Sequence, residues 1–276
     1  MDNVVIVLVA GVISVVIVMI GRVAFRNARR TRLMNTPFPS SWEKILQQNV
    51  ALYRHLSNSL KRQLHGDIQI FLAEKNFEGC GGLEMTDEIR VTIAAQACIL
   101  LLNRKTKFYP GLSSILVYPS AYIAEKITYL GAQHIREKTV RLGESWQRGA
   151  VVLAWDHVKH GSRDVNDGHN VVLHEFAHQL DQEDGRSDGV PILEQRSSYV
   201  AWARILGKEY ENLRKSVKRN KRDVMDNYGA KNPAEFFAVA TETFFEKPKQ
   251  IKQKHPDLYE ELKDYYKLNP IEWVES

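Results

Sequence analysis

Cysteine is scarce in this chain. Cys80 and Cys98 are its two thiols in 276 residues, too few for a disulfide framework and suited to a reducing compartment. The sequence also has no internal repeat and no low-complexity segment, which excludes a solenoid array or a largely disordered chain. It lacks a distributed charge excess as well. The formal net charge is +5, yet Arg22, Arg26, Arg29, Arg30 and Arg32 against Asp2 alone place +4 of it in residues 1–32. The remaining 244 residues carry 33 basic and 32 acidic side chains, so a general nucleic-acid-binding surface is excluded and no nucleic-acid partner is expected. What is left is enough chain for one large domain or two small ones with a substantial core.

The one long hydrophobic run lies at the front. Val4 to Ile20 is interrupted only by Gly11 and Ser14. At about 1.5 Å per helical residue it spans roughly 26 Å, at the short end for crossing a bilayer. A buried core helix is the alternative, but β-branched Val and Ile fill the run and leave it no polar face. A cleavable signal peptide would carry its positive charge ahead of the run and small residues at a cleavage site. Here the charge follows the run, in Arg22-Val23-Ala24-Phe25-Arg26. The expected organisation is a single transmembrane anchor over residues 1–21, a basic juxtamembrane linker over 22–40 and a folded domain over 41–270 on the cytoplasmic side.

Within that domain, apolar spacing predicts helices over 41–65, 67–75, from Thr86-Asp87 through Leu102, and over 195–217, 233–246 and 256–267. Short β-branched runs predict strands at 113–119 and 150–156. The fold class is therefore α+β and helix-dominated, with a small sheet just upstream of the segment that carries the chemistry.

That segment is His174-Glu175-Phe176-Ala177-His178, led in by Val171-Val172-Leu173. Residues four apart on a helix leave the same face one above the other, so both imidazoles can address one ion. Two neutral imidazoles suit Zn²⁺, and the intervening Glu175 is placed to act as general base on an activated water. The bland alternative is a helix with two unrelated histidines. Two nitrogens are not enough, because a catalytic zinc usually takes three protein ligands and keeps one position open. A metzincin would have glycine and histidine three and six residues after the second histidine; Asp181 and Asp184 stand there, which excludes that class. An acidic ligand from a second helix remains, and the candidate stretch is Asn232 to Phe245. Pro233 suits a first helical turn, and Glu235 and Glu242, seven apart, share a face. Spacing alone leaves both carboxylates open.

The chain resembles the Mlc titration factor A family of bacterial zinc-dependent peptidases, whose metal-site pattern is gluzincin-like. The likeness is carried by the metal motif together with Phe71-Leu72-Ala73-Glu74-Lys75-Asn76-Phe77-Glu78-Gly79-Cys80, Ile89 to Cys98, Glu144-Ser145-Trp146, Val151-Val152-Leu153-Ala154-Trp155 and the helix around Glu235. It covers roughly residues 40–270. It implies a zincin-like metallopeptidase domain with Zn²⁺ held by His174, His178 and Glu235, and Glu175 as catalytic base. It further implies that Tyr228, in Asn227-Tyr228-Gly229, stabilises the oxyanion and that Glu242 orients a ligand histidine. By resemblance alone, a Mlc-like repressor is a possible cytoplasmic partner beside the peptide or protein substrate. The apolar run at the front departs from the soluble protein that gives the family its name, and it places this chain in the bacterial inner membrane as a single-pass protein.

Three other features carry two readings each. Tyr228 is an oxyanion donor or a half-buried loop aromatic. Strand 150–156 is a rim on which an extended peptide pairs or an interior strand. The basic run Arg214, Lys215, Lys218, Arg219, Lys221 and Arg222 is a solvated helix end or a contact for anionic lipid. The competing function is a zinc-containing regulatory protein that sequesters a cytoplasmic partner without hydrolysing it, against which the presence of Glu175 speaks. A zinc-independent, lipid-associated scaffold is a third reading.

Overall fold

In the computed structural model the backbone is described for residues 2–104, 108–130, 133–141, 143–146 and 149–274, and side chains for 11–104, 108–121 and 149–273. The chain opens with α1 (Asp2–Met34), of which Gly11–Met34 is long and apolar enough to cross a membrane, with none of its most apolar stretch buried in the protein. Where the sequence suggests a linker from residue 22, the helix instead continues unbroken to Met34. Its last turns dock on the domain through the Arg30 guanidinium, which donates twice to the Glu74 carboxylate at 2.7 Å.

Four short elements follow: α2 (Ser40–Asn49), α3 (Ala51–Arg54), α4 (Asn58–Glu74) and β1 (Asn76–Gly79). The single helix expected over 41–65 is broken twice. Val50 is extended (φ −114°, ψ 95°), and Ser57 starts a new helix by accepting the Leu60 N–H at 3.3 Å. Gly66 does not end α4. A Cβ there would stand 3.3 Å from the Met34 Cα, so glycine is what lets α1 approach this closely. Next come α5 (Asp87–Ile99), capped by Thr86, β2 (Ser114–Tyr118), the hairpin β3 (Tyr122–Leu130) and β4 (Gln133–Arg141), then β5 (Gly143–Trp146) and β6 (Ala150–Ala154).

The main sheet has the order β1-β2-β6-β5, with β1, β2 and β6 parallel and β5 antiparallel at one edge. Strand β6 therefore lies between β2 and β5, both of its sides paired, which excludes it as a rim for an incoming peptide. Its alternation is lost because both faces are covered, and four of its five residues are buried. Trp155 and Asp156, expected to end this strand, instead open α6 (Trp155–Arg163).

The metal motif lies on α7 (Val171–Asp181), followed by α8 (Ser198–Lys218), a 3-10 turn (Asn227–Ala230), α9 (Pro233–Glu246), α10 (Pro248–Lys254), α11 (Pro256–Tyr266) and α12 (Ile271–Val274). α9 is apolar nearly all round, as a central helix must be, and packs directly on α7. On the far side of α7, Phe176 meets Phe71 and Tyr109 with ring centroids 5.7 and 4.9 Å away. Each such ring contributes about 1.5–3 kcal/mol through burial, so α7 is clamped from both sides. The basic run lies at the end of α8 and the turn after it, where Lys215, Lys218, Arg219, Lys221 and Arg222 are exposed and Arg214 pairs with Glu211 at 2.8 Å.

Candidate metal centre

α7 begins at a buried cap. The Asn170 side chain accepts the Leu173 N–H at 3.0 Å and donates to Gln96 Oε1 at 2.8 Å and to the Gly161 carbonyl at 3.1 Å. Gly161 must lack a side chain, since a Cβ would come 2.8 Å from the His169 carbonyl oxygen. The Asn170 backbone N–H donates to Glu242 Oε2 at 2.6 Å, which ties the start of α7 to the middle of α9. α9 is itself started by Asn232, whose side chain accepts the Glu235 N–H at 2.9 Å, with Pro233 in its first turn.

The two caps bring four sequence-predicted residues together. His174 Nε2 and His178 Nε2 each lie 3.1 Å from the same oxygen, Glu235 Oε2. His174 Nδ1 lies 2.7 Å from Glu242 Oε1. Packing has thus divided the two carboxylates that spacing left equivalent: Glu235 faces both Nε2 atoms, and Glu242 faces the back of one ring. Glu175, on the same turn of α7, is 6% exposed. Tyr228 stands on the 3-10 turn with its ring centroid 6.0 Å from that of His174, and it is 49% exposed, half-buried beside the site.

The electrostatics follow from this geometry. Nδ1 of His174 donates to Glu242, so Nε2 can meet the Glu235 carboxylate without a metal only if it too carries a proton. Burial disfavours that charge, but Glu242 and the hydrogen bonds to both carboxylates outweigh it and hold the His174 pKa well above the usual imidazole range. Burial likewise presses the Glu235 pKa upward, and the two imidazoles more than reverse it, leaving this carboxyl far below its usual range. Burial pushes the Glu175 pKa up, with partial opposition from His174 and His178.

Two imidazole nitrogens and one carboxylate oxygen, all within 4.8 Å of one another, form a group able to hold a metal ion. Separations of 3.1 Å are close to the roughly 3.3 Å expected between tetrahedral ligands at about 2.0–2.1 Å from an ion. A cation at this point takes the place of the proton between Nε2 and the carboxylate. The donor set therefore fits a divalent metal with nitrogen and oxygen preference.

Two residues of this site escape a reading of the sequence. Asn170 immediately precedes the apolar start of α7, a position that carries a capping signal. Lys231, whose Nζ lies 3.3 Å from Glu235 Oε1 and 3.0 Å from the Tyr228 hydroxyl, stands four residues before Glu235, a spacing that suits an ion pair.

The chain belongs to the glucose-regulated metallo-peptidase M90 family, whose model matches residues 25–267. It is 44% identical over 245 residues to an uncharacterized protein of Synechocystis sp., covering 88% of this chain and 89% of that one. It is also similar to proteins named Mlc titration factor A, at 31% identity over 238 residues in Klebsiella pneumoniae (84% of this chain, 88% of the relative) and 30% over 237 residues in Yersinia pestis (84% and 86%). The family match begins inside α1, in line with the docking of its last turns on the domain. A metallopeptidase-like domain with a His-His-Glu metal group thus forms the body of the protein.

Proposed function

We propose that the protein is a zinc-dependent peptidase tethered to the bacterial inner membrane by α1, with its domain on the cytoplasmic side. The observation that carries the reading is the convergence of His174 Nε2 and His178 Nε2 on Glu235 Oε2, with Glu175 buried on the same turn of α7. His174, His178 and Glu235 are the zinc ligands in this reading. Glu242 fixes the His174 tautomer by accepting a hydrogen bond from its Nδ1–H, which leaves Nε2 free to ligate. Zn²⁺, when bound, acts as a Lewis acid and lowers the pKa of water from about 15.7 to about 7.

The chain's own residues do the rest. Glu175 takes the proton of the attacking water and delivers it to the departing amine, a role that suits a carboxyl whose pKa is pushed up by burial. Tyr228 donates its hydroxyl proton toward the oxygen that becomes negative as the peptide carbonyl is attacked. The substrate strand pairs with β5, the one of the two edge strands that packs against α7. The five arginines from Arg22 to Arg32 follow the apolar run and favour a cytoplasmic domain.

One test separates this from its rival. Glu175→Gln should keep the metal stoichiometry of the native protein and lose peptide hydrolysis; native-rate hydrolysis would remove Glu175 as the base. The rival, a zinc-containing protein that sequesters a regulator, draws on relatives named for titrating Mlc. It predicts that Glu175→Gln still retains a Mlc-like repressor as well as the native protein does.

A further inference from the structure

We infer that Lys231 is a positioning residue that links the third metal-binding carboxylate to the phenol of Tyr228; the inference rests on the peptidase reading and deepens it. Lys231 follows the 3-10 turn directly and precedes the Asn232 cap of α9, with its backbone N–H on the Tyr228 carbonyl at 3.1 Å. Its Nζ lies 3.0 Å from the Tyr228 hydroxyl and 3.3 Å from Glu235 Oε1. Its side chain is 57% exposed, so the position belongs to the mouth of the site and not to the core.

Both contacts have a defined polarity. An ammonium group has three donors and no acceptor, so Tyr228 must accept from Lys231. The phenolic proton is then unspent, and the lone pair that could otherwise compete for a donor is already engaged. Among the described residues the Tyr228 hydroxyl has no other hydrogen-bond partner, so Lys231 is what fixes the hydroxyl, while the ring itself lies beside that of His174. On the other side, Glu235 divides its oxygens: Oε2 faces both imidazoles and Oε1 faces Lys231. An oxygen held by an ammonium group is withheld from the metal. The carboxylate is thereby confined to one ligating atom, which fixes how it holds the metal and so bears on zinc affinity. Asp226 steadies the arrangement by accepting the Tyr228 N–H at 2.7 Å, so the turn itself is not Lys231's work.

The test uses the full chain in detergent, with Lys231→Met, Lys231→Arg, Tyr228→Phe and the Met/Phe double variant. Zinc affinity is measured by competition with a chromophoric chelator, and kcat and KM with a quenched fluorescent peptide that the native protein turns over. Lys231→Met should lower kcat about tenfold with KM within about twofold, and should weaken zinc binding about tenfold, as outer-shell losses do. Tyr228→Phe should lower kcat about 100-fold and leave zinc affinity unchanged. The double variant should match Tyr228→Phe in kcat and Lys231→Met in zinc affinity, since Lys231 acts on turnover through the phenol. Lys231→Arg should recover most of both losses, because it restores a charged donor. Multiplying losses in the double variant, or native zinc affinity in Lys231→Met, overturns the inference. A native protein that hydrolyses nothing sinks the peptidase reading instead, and the zinc measurement still decides whether Lys231 holds Glu235.

Discussion

Glu242 offers the clearest perturbation, because one buried carboxylate, 5% exposed, holds two elements and one imidazole. It accepts the Asn170 N–H at 2.6 Å and the His174 Nδ1–H at 2.7 Å. Hydrogen bonds to a charged group contribute about 1.5–3 kcal/mol each, so Glu242→Ala should destabilise the metal-free protein by about 3–6 kcal/mol. Part of that loss is the Asn170 N–H left buried and unsatisfied at the start of α7. Glu242→Gln keeps one acceptor but turns an NH₂ toward the other donor, and should lose about half as much. Zinc affinity should fall about 10–100-fold in either variant, because His174 loses the partner that fixes its tautomer and ring orientation. Urea unfolding of the chelator-treated protein measures the first effect, and chelator competition the second. A Glu242→Ala protein whose unfolding free energy lies within about 1 kcal/mol of native, with zinc affinity within about threefold, would refute the reasoning.

Glu235→Ala should cost far more zinc affinity than Glu242→Ala, since it removes an atom facing both Nε2 nitrogens; the reverse order in a chelator titration would exchange the two roles. His255 lies between Glu209 Oε2 at 2.8 Å and Asp223 Oδ1 at 2.9 Å, and although burial opposes its charge these carboxylates raise its pKa above 6.5. Its folded pKa exceeds the unfolded one, so its stabilisation is fully present below about pH 6.5 and is lost as pH rises through the folded value. Urea unfolding of native and His255→Gln proteins should therefore differ most near pH 6 and converge at alkaline pH; a gap that widens with pH contradicts this. Deleting residues 1–24 should move the protein from the membrane to the soluble fraction and leave the Arg30–Glu74 pair intact. Deleting 1–33 removes that pair, with its two 2.7 Å bonds, and should lower stability further by about 1–3 kcal/mol, read as a drop in Tm relative to the shorter deletion.

Much of the candidate site is legible in the amino-acid sequence, because it depends on periods internal to single helices. A four-residue step sets His174 above His178, a seven-residue step sets Glu235 above Glu242, and Asn232-Pro233 announces where their helix begins. The same local logic delimits α9 to the residue (Pro233–Glu246) and finds the two central strands, β2 and β6. It fails where a neighbour from afar decides the outcome. Gly66 reads as a break between two helices and in fact lies inside α4, where Met34 packs against it. The end of α1 reads as a basic linker, yet Glu74, forty-four residues along the chain, gives Arg30 a partner and makes it part of the domain. Strand β6 reads equally as rim or interior until β5 pairs with its second side.

Helical spacing, read along the chain, sets which side chains share a face, and so makes two imidazoles and a carboxylate available for a metal. Which carboxylate meets Nε2 and which meets Nδ1 is settled by how the helices pack. That choice depends on the height and rotation at which α9 packs on α7, set by the bond from the Asn170 N–H to Glu242 and by the aromatic contacts of Phe176 on α7 and of Phe236 and Phe237 on α9. The period of a helix fixes relations along one axis, whereas the placement of one axis against another is a property of packing.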